Sequence, residues 1–174
     1  PYYQIICCFF FALLGLQIKL RLDQSSIENI VFYRSLFGLI ILLSIILMDK
    51  EKVKTLLITS NIKIHFLRAI FGILAMYFGY KSLLYLSLAQ ASTIGFTKVF
   101  FTCFFSSLFF NEKINLKTFF LIIFGFTGVF LITNPDQINS KIGLYMSLFS
   151  AVCVSGGIIS ISYLSKKETT LTIL

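Results

Sequence analysis

The chain of 174 residues contains no tryptophan, one histidine, two prolines and only seven acidic residues. Charged side chains make up 13% of it, about half of the ~25% usual in soluble domains. That is too little charge to cover a water-exposed surface. The four cysteines, Cys7, Cys8, Cys103 and Cys153, lie inside apolar runs at no metal-ligand spacing, and His65 is the only imidazole. This pattern argues against both a disulfide framework and a zinc site. No His, Asp or Glu stands deep within an apolar stretch. The sequence therefore supplies no general base, nucleophile pair or metal centre, and no enzyme activity, metal or cofactor is expected. What it has in abundance is apolar surface: 57% of its residues are hydrophobic, 21 are phenylalanine, and the mean hydropathy is +0.92. The solvent that suits such a chain is lipid.

A membrane-spanning helix needs about 20 predominantly apolar residues. Six stretches meet that requirement: Tyr2 to Leu20, Glu28 to Met48, Ile64 to Ser87, Ala89 to Phe110, Leu116 to Thr133, and Ile142 to Leu164. The first lacks the basic start and cleavage site of a secretory signal and is read as a span. The predicted fold is all-α, a polytopic helical membrane protein with six spans. Polar links such as RLDQSS, DKEKVKTLLITSNIK, NEKINLK and NPDQINSK join them, with a near-direct reversal at Leu88. The formal charge of +8 does not imply nucleic acid, because the positives are dispersed between apolar runs rather than gathered on one solvated face. Sorted by side, Lys50, Lys52, Lys54, Lys63, Arg68, Lys113, Lys117, Lys166 and Lys167 fall together, opposite Lys19, Arg21 and Lys141. The positive-inside rule assigns the richer side to the cytoplasm. A multi-pass protein of the inner or plasma membrane is expected, its first span running outward.

Arg34, Lys81 and Lys98 belong to neither group. At 1.5 Å per residue, Arg34 and Lys81 lie about 9 Å below the outer surface, and Lys98 about 13 to 14 Å, near the midplane of a ~30 Å core. Arg34 and Lys81 have two readings, since long side chains at that depth either snorkel to the headgroups or line a cavity. A midplane cation such as Lys98 costs about 2.5 to 3.5 kcal/mol on insertion scales unless it meets water or a partner. No carboxylate within the spans stands ready to neutralise it, because Glu28 and Glu112 are at span ends. Water or an anionic ligand is the expected compensator.

In the third span Gly72, Ala75 and Gly79 share one side while Tyr77 and Lys81 share the opposite one, which suggests a packing face and a cavity face. In the fourth, Ala91, Gly95, Lys98, Thr102 and Ser106 form one stripe. Its small residues suit tight helix packing, as do Gly125 and Gly128 in the fifth. The candidate substrate-binding residues are Arg34, Lys81 and Lys98, with Tyr77 and Gln17 as polar contacts. Glu112 is assigned a structural part near the cytoplasmic end of the fourth span.

Internal repeats are a common building plan of transporters. A shift that lays TTLTIL at Thr169–Leu174 on SSIENI at Ser25–Ile30 also lays the sixth span on the first without a gap. A repeat of five spans is odd-numbered, so its second copy enters the membrane inverted. Residues 1–140 would then form one five-helix repeat, and residues 141–174 the first helix of the next. The chain opens on Pro1 and stops at Leu174 within an apolar pattern, and is read as a fragment.

Three segments carry a resemblance: SSIENIVFYRSLFGLIILL at Ser25–Leu43, LRAIFGILAMYFGYKSLLYLSLAQASTIGFTKVFF at Leu67–Phe101, and FFNEKINLKTFFLIIFGFTGVFLITNP at Phe109–Pro135. Arg34 follows Phe32 and Tyr33, SLAQAST makes a short-residue reversal, Glu112 closes the fourth span, and Gly128 and Val129 sit in the fifth. In this order and spacing the chain resembles the EamA-like transporters of the drug/metabolite transporter superfamily. The resemblance covers nearly the whole chain. One departure is Val99, which stands about where the family often has a proline, and this leaves Lys98 on a straighter helix. The resemblance implies a ten-helix inverted-repeat carrier that moves a small polar metabolite by alternating access, and the placement of Arg34, Lys81 and Lys98 tilts that metabolite toward an anionic or zwitterionic one. Its partners would be the lipid bilayer, a small-molecule metabolite, and a missing C-terminal repeat or a second protomer. A non-transporting helical membrane subunit, or an inactive transporter fragment, is the competing expectation.

Overall fold

The computed structural model describes residues 2–21, 26–47, 59, 61–110, 115–133, 140–168 and 170–173. Its helices are α1 (Tyr2–Arg21), α2 (Ile27–Leu47), α3 (Ile62–Ser82), α4 (Leu88–Gly95), α5 (Lys98–Phe110), α6 (Leu116–Thr133), α7 (Lys141–Ser165) and the short α8 (Thr170–Ile173). Among the described residues there is no strand, and the all-α prediction holds. Five helices are long and apolar enough to cross a membrane, α4 and α5 counting together as one span over Leu88–Phe110, and α6 adds a sixth apolar helix. Phe9, Phe10, Phe11, Phe120 and Phe124 are 61 to 80% exposed. In water such a surface would drive association, whereas acyl chains solvate it without penalty.

Apolar burial gives helices little net attraction when the solvent is itself apolar, so association depends on close backbone approach and interhelical hydrogen bonds. Helix α7 shows both. Gly143, Ser147, Ala151 and Ser155, spaced by four, are buried, and α7 packs chiefly on α3 and also on α4 and α5. A Cβ on Gly143 would stand 2.7 Å from that of Tyr85, and one on Gly156 would stand 2.9 Å from the Phe71 ring. The Ser150 hydroxyl donates to the Ala75 carbonyl of α3 at 2.8 Å, and that of Ser155 to the Lys98 carbonyl of α5 at 2.8 Å. Such bonds average only about 0.6 kcal/mol each in a membrane. The close backbone approach is therefore needed beside them.

Most helix ends fall within one or two residues of expectation, and one differs by more. The third span ends at Ser82, not Ser87. Residues Leu83–Leu86 turn, with the Leu86 N–H donating to the Ser82 carbonyl at 2.9 Å. The Lys19 ammonium reaches from α1 to the carbonyls of Leu83 and Leu86, the latter at 3.0 Å. Carbonyls that continued helix would have occupied are satisfied by that cation instead. Ser87 then opens α4 with a capping box: its hydroxyl accepts from the Gln90 N–H at 3.2 Å, and the Gln90 side chain accepts from the Ser87 N–H at 3.1 Å.

The fourth span is not straight. It breaks at Phe96–Thr97 although no proline is present. The N–H of Thr97 donates to Ile94 and that of Val99 to Phe96, each at 3.0 Å, the tighter three-residue pattern of a 3₁₀ turn. The Thr97 hydroxyl adds a 2.7 Å bond to the Ile94 carbonyl. Irregular backbone at membrane depth is tolerated where protein surrounds it, and Thr93, Ile94 and Thr97 are all buried.

Candidate functional site

Small side chains leave room where the helices converge. Ala75 and Gly79 of α3, Ala91 and Gly95 of α4, and Ser147, Ser150 and Ala151 of α7 border a chamber of about 340 Å³, completed by Phe11, Arg34, Tyr80 and Lys98 among others. The volume lies at the lower end of the ~300 to 1,000 Å³ typical of small-ligand sites. Two of the cations expected at the site, Arg34 and Lys98, therefore line one cavity.

Lys98 is the first residue of α5, set there by the break at Phe96–Thr97. Its ammonium lies 6.0 Å from the centre of the Phe96 ring, and among the described residues no carboxylate or hydrogen-bond acceptor meets it. Its carbonyl accepts from Ser155 at 2.8 Å and from Thr102 at 2.7 Å, which ties the backbone of the residue to α7 and to the next turn. The Arg34 guanidinium donates to the Tyr80 hydroxyl and lies 5.8 Å from that ring's centre. Arg34 also borders a second cavity of about 200 Å³, shared with Gln17 and Arg21 of α1. Gln17 thus stands in the chamber's neighbour, with Arg34 common to both.

Lys81 and Tyr77 do not border the chamber. With α3 ending at Ser82, Lys81 falls in the last turn, where a cation complements the helix dipole. Its ammonium donates to the Tyr77 hydroxyl at 3.1 Å and lies 5.1 Å from the ring centre, and that hydroxyl reaches Glu28 of α2 at 3.4 Å. The small-residue side of α3 packs on α7 as expected, with the Ser150 hydroxyl 2.8 Å from the Ala75 carbonyl, but it is this side, and not that of Tyr77 and Lys81, that meets the cavity. The Ala75–Gly79 side borders the chamber, while Tyr77 packs against the cluster of Ile18, Ile27 and Leu83. Tyr80 was not among the expected residues. No local pattern separates it from Tyr77, three residues earlier; the packing of α3 on α7 does.

Glu112 lies outside the described residues. Among the described residues no three His, Cys, Asp or Glu side chains gather as a metal site would require. The chamber's chemistry is thus a pair of fixed positive charges, one phenolic hydroxyl and serine hydroxyls within apolar walls.

The EamA-like transporter family matches residues 2–134. The chain belongs to that family. Over 171 residues it is 26% identical to the pseudopaline exporter CntI of Pseudomonas aeruginosa, an alignment covering 98% of this chain and 59% of the exporter. It is 28% identical to an uncharacterized transporter of Helicobacter pylori over 83% of this chain and 49% of that protein. A 73-residue stretch is 40% identical to mouse solute carrier family 35 member G1, covering 42% of this chain and 20% of that carrier. The chain thus spans 59% of the exporter's length and 49% of the Helicobacter protein's. No solved structure matches it. Family and helices together make this a multi-pass protein of the cell membrane, and the family's members are transporters of small molecules.

Proposed function

We propose that this EamA-like protein carries a small polar metabolite bearing a carboxylate or phosphate, anionic or zwitterionic, across the membrane by alternating access. The chamber bordered by Arg34 and Lys98 is its binding site. One observation carries this reading: Lys98, at the depth of the midplane, borders a cavity of about 340 Å³, and among the described residues no carboxylate meets it. A cation held there is costly, and an anionic solute entering the chamber offsets that cost. Gln17, beside Arg34 in the adjoining cavity, belongs to the approach from the outer end, while Lys81 and Tyr77, paired with each other and with Glu28, hold α2 and α3 together beside it. The part is a carrier's rather than an enzyme's, and the far wall of the chamber comes from a C-terminal repeat or a second protomer.

The test compares solute pools, by mass spectrometry, in cells expressing the native protein, Lys98→Arg or Lys98→Met at equal membrane levels. Solutes that differ between native and Lys98→Met should carry a carboxylate or phosphate, and Lys98→Arg should keep part of the difference. Identical pools in native and Lys98→Met cells would overturn the assignment.

A further inference from the structure

Below the chamber, toward the end assigned to the cytoplasm, lies a larger cavity of about 520 Å³ between α3 and α7. Ala75, Met76 and Val154 border both spaces, so the two are neighbours divided by these three side chains. His65 and Arg68 border the lower cavity's far end, and both are engaged by the segment that follows α7. Glu168 receives three side chains from the opposite element. The Thr59 hydroxyl donates to Oε1 at 2.6 Å, the Asn61 amide donates to Oε1 at 3.1 Å, and the His65 Nε2 lies 2.7 Å from Oε2. One turn further along α3, Arg68 donates to the carbonyl of Ile173 in α8.

Asn61 occupies the N-cap position of α3 yet makes no side-chain cap bond. A residue type that commonly caps its own helix is given over to Glu168 instead. The Glu168 side chain is only 7% exposed, and the carboxylate sits at the positive end of the α3 dipole. These contacts join the α3 entrance to the end of α7, which is more than packing alone requires.

We propose that the turn Lys166–Glu168 together with α8 forms a cytoplasmic gate, latched by Glu168 on Thr59, Asn61 and His65, whose release opens the lower cavity, and past Ala75, Met76 and Val154 the chamber, to the cytoplasm. The gating role rests on the chamber being the transport site. The latch itself is testable without any substrate. Cys153 provides the reporter: it borders the lower cavity and is 2% exposed.

In protein whose Cys7, Cys8 and Cys103 are replaced by alanine, inside-out vesicles are treated with a membrane-impermeant methanethiosulfonate, and the rate of Cys153 modification is followed. Glu168→Gln removes the charge that all three partners meet and should raise the rate about tenfold, the effect of losing hydrogen bonds to an ionised group. Thr59→Val removes a single bond and should raise it by less. Exchanging the pair, His65→Glu with Glu168→His, should bring the rate back toward native. Native rates in both Glu168→Gln and Thr59→Val would overturn the latch, and Thr59→Val serves alone if Glu168→Gln fails to reach the membrane. Transport unaffected by Lys98→Met would remove the chamber reading and leave these rates as they are, so the two failures are distinguishable.

Discussion

Arg34 of α2 donates to the phenolic oxygen of Tyr80 on α3, its guanidinium 5.8 Å from the ring centre. The contact fixes a long, rotamer-rich cation between two cavities, with the rest of its donor fork free to face either. Arginine's planar fork suits this double duty in a way lysine's point charge does not.

Tyr80→Phe keeps the ring and deletes the acceptor. The expected result, measured as transport of whichever solute the native protein moves, is a rise in KM of about tenfold with kcat little changed, because a binding group loses its orientation. Arg34→Lys should lose more than Tyr80→Phe, since it forfeits both fork and ring stacking. Equal transport by native and Tyr80→Phe protein would show that Arg34 needs no such support.

Gly143 and Gly156 of α7 differ from the α6 glycines in what surrounds them. A Cβ on Gly143 would meet Tyr85 Cβ at 2.7 Å and Leu86 Cγ at 2.9 Å, whereas one on Gly125 would meet nothing within 4 Å. Gly143→Ala should therefore force the Leu83–Ser87 link outward at a cost of about 1 to 3 kcal/mol. Gly125→Ala should be neutral or stabilising by up to ~1 kcal/mol through helix propensity. Thermal unfolding midpoints in detergent read both, and equal midpoints for the two variants would contradict the packing.

Glu168 lies outside the spans. Its three hydrogen bonds, above all the one from Thr59 and then that from His65, hold its carboxyl down to about 2 from an ordinary 4.5. A folded-state value below the unfolded one means that the latch contributes its full stability above about pH 4.5 and loses it as pH falls from there toward 2. The nearby cations are otherwise engaged, Arg68 with Ile173, Lys167 with Tyr163 and Lys166 over Phe110. The difference in thermal midpoint between native and Glu168→Gln protein should be flat from neutrality to about pH 4.5 and close below it. A gap unchanged down to pH 2 would assign the stability to something other than this carboxylate.

The spans were legible because length and hydropathy suffice in lipid, where every backbone group must be satisfied internally. Lys98 and Arg34 could be singled out because cations are rare within apolar stretches, and the structure brings both to one cavity. What remained hidden depends on contacts between distant parts of the chain. Where α3 stops depends on Lys19, which lies 64 and 67 positions from the carbonyls it meets. The partners of Glu168 lie 103 to 109 positions away, beyond any local pattern. Tyr77 and Tyr80 differ by less than one turn, and only the packing of α3 on α7 decides that Tyr80 borders the chamber. The capping box at Ser87 and Gln90 and the spacing of four along Gly143, Ser147, Ala151 and Ser155 are local signals that were open to reading.

Ser155 decides how firmly the broken fourth span is held. It is fully buried, and its hydroxyl lies 2.8 Å from the carbonyls of Lys98 and of Ala151. Removing the hydroxyl with Ser155→Ala leaves the Lys98 carbonyl its bond from Thr102 at 2.7 Å, so stability should fall by only about 0.6 kcal/mol, the membrane average for such a bond. Transport should suffer more than stability does, because the bond that is lost ties the backbone of Lys98 to α7. Ser155→Leu adds volume where none is free and should cost about 1 to 3 kcal/mol, spreading α5 from α7. Detergent melting and solute transport, measured on the same preparations, separate the two effects. If Ser155→Ala transports like native protein while Ser155→Leu does not, the residue serves packing alone and Lys98 is positioned by the Phe96–Thr97 turn.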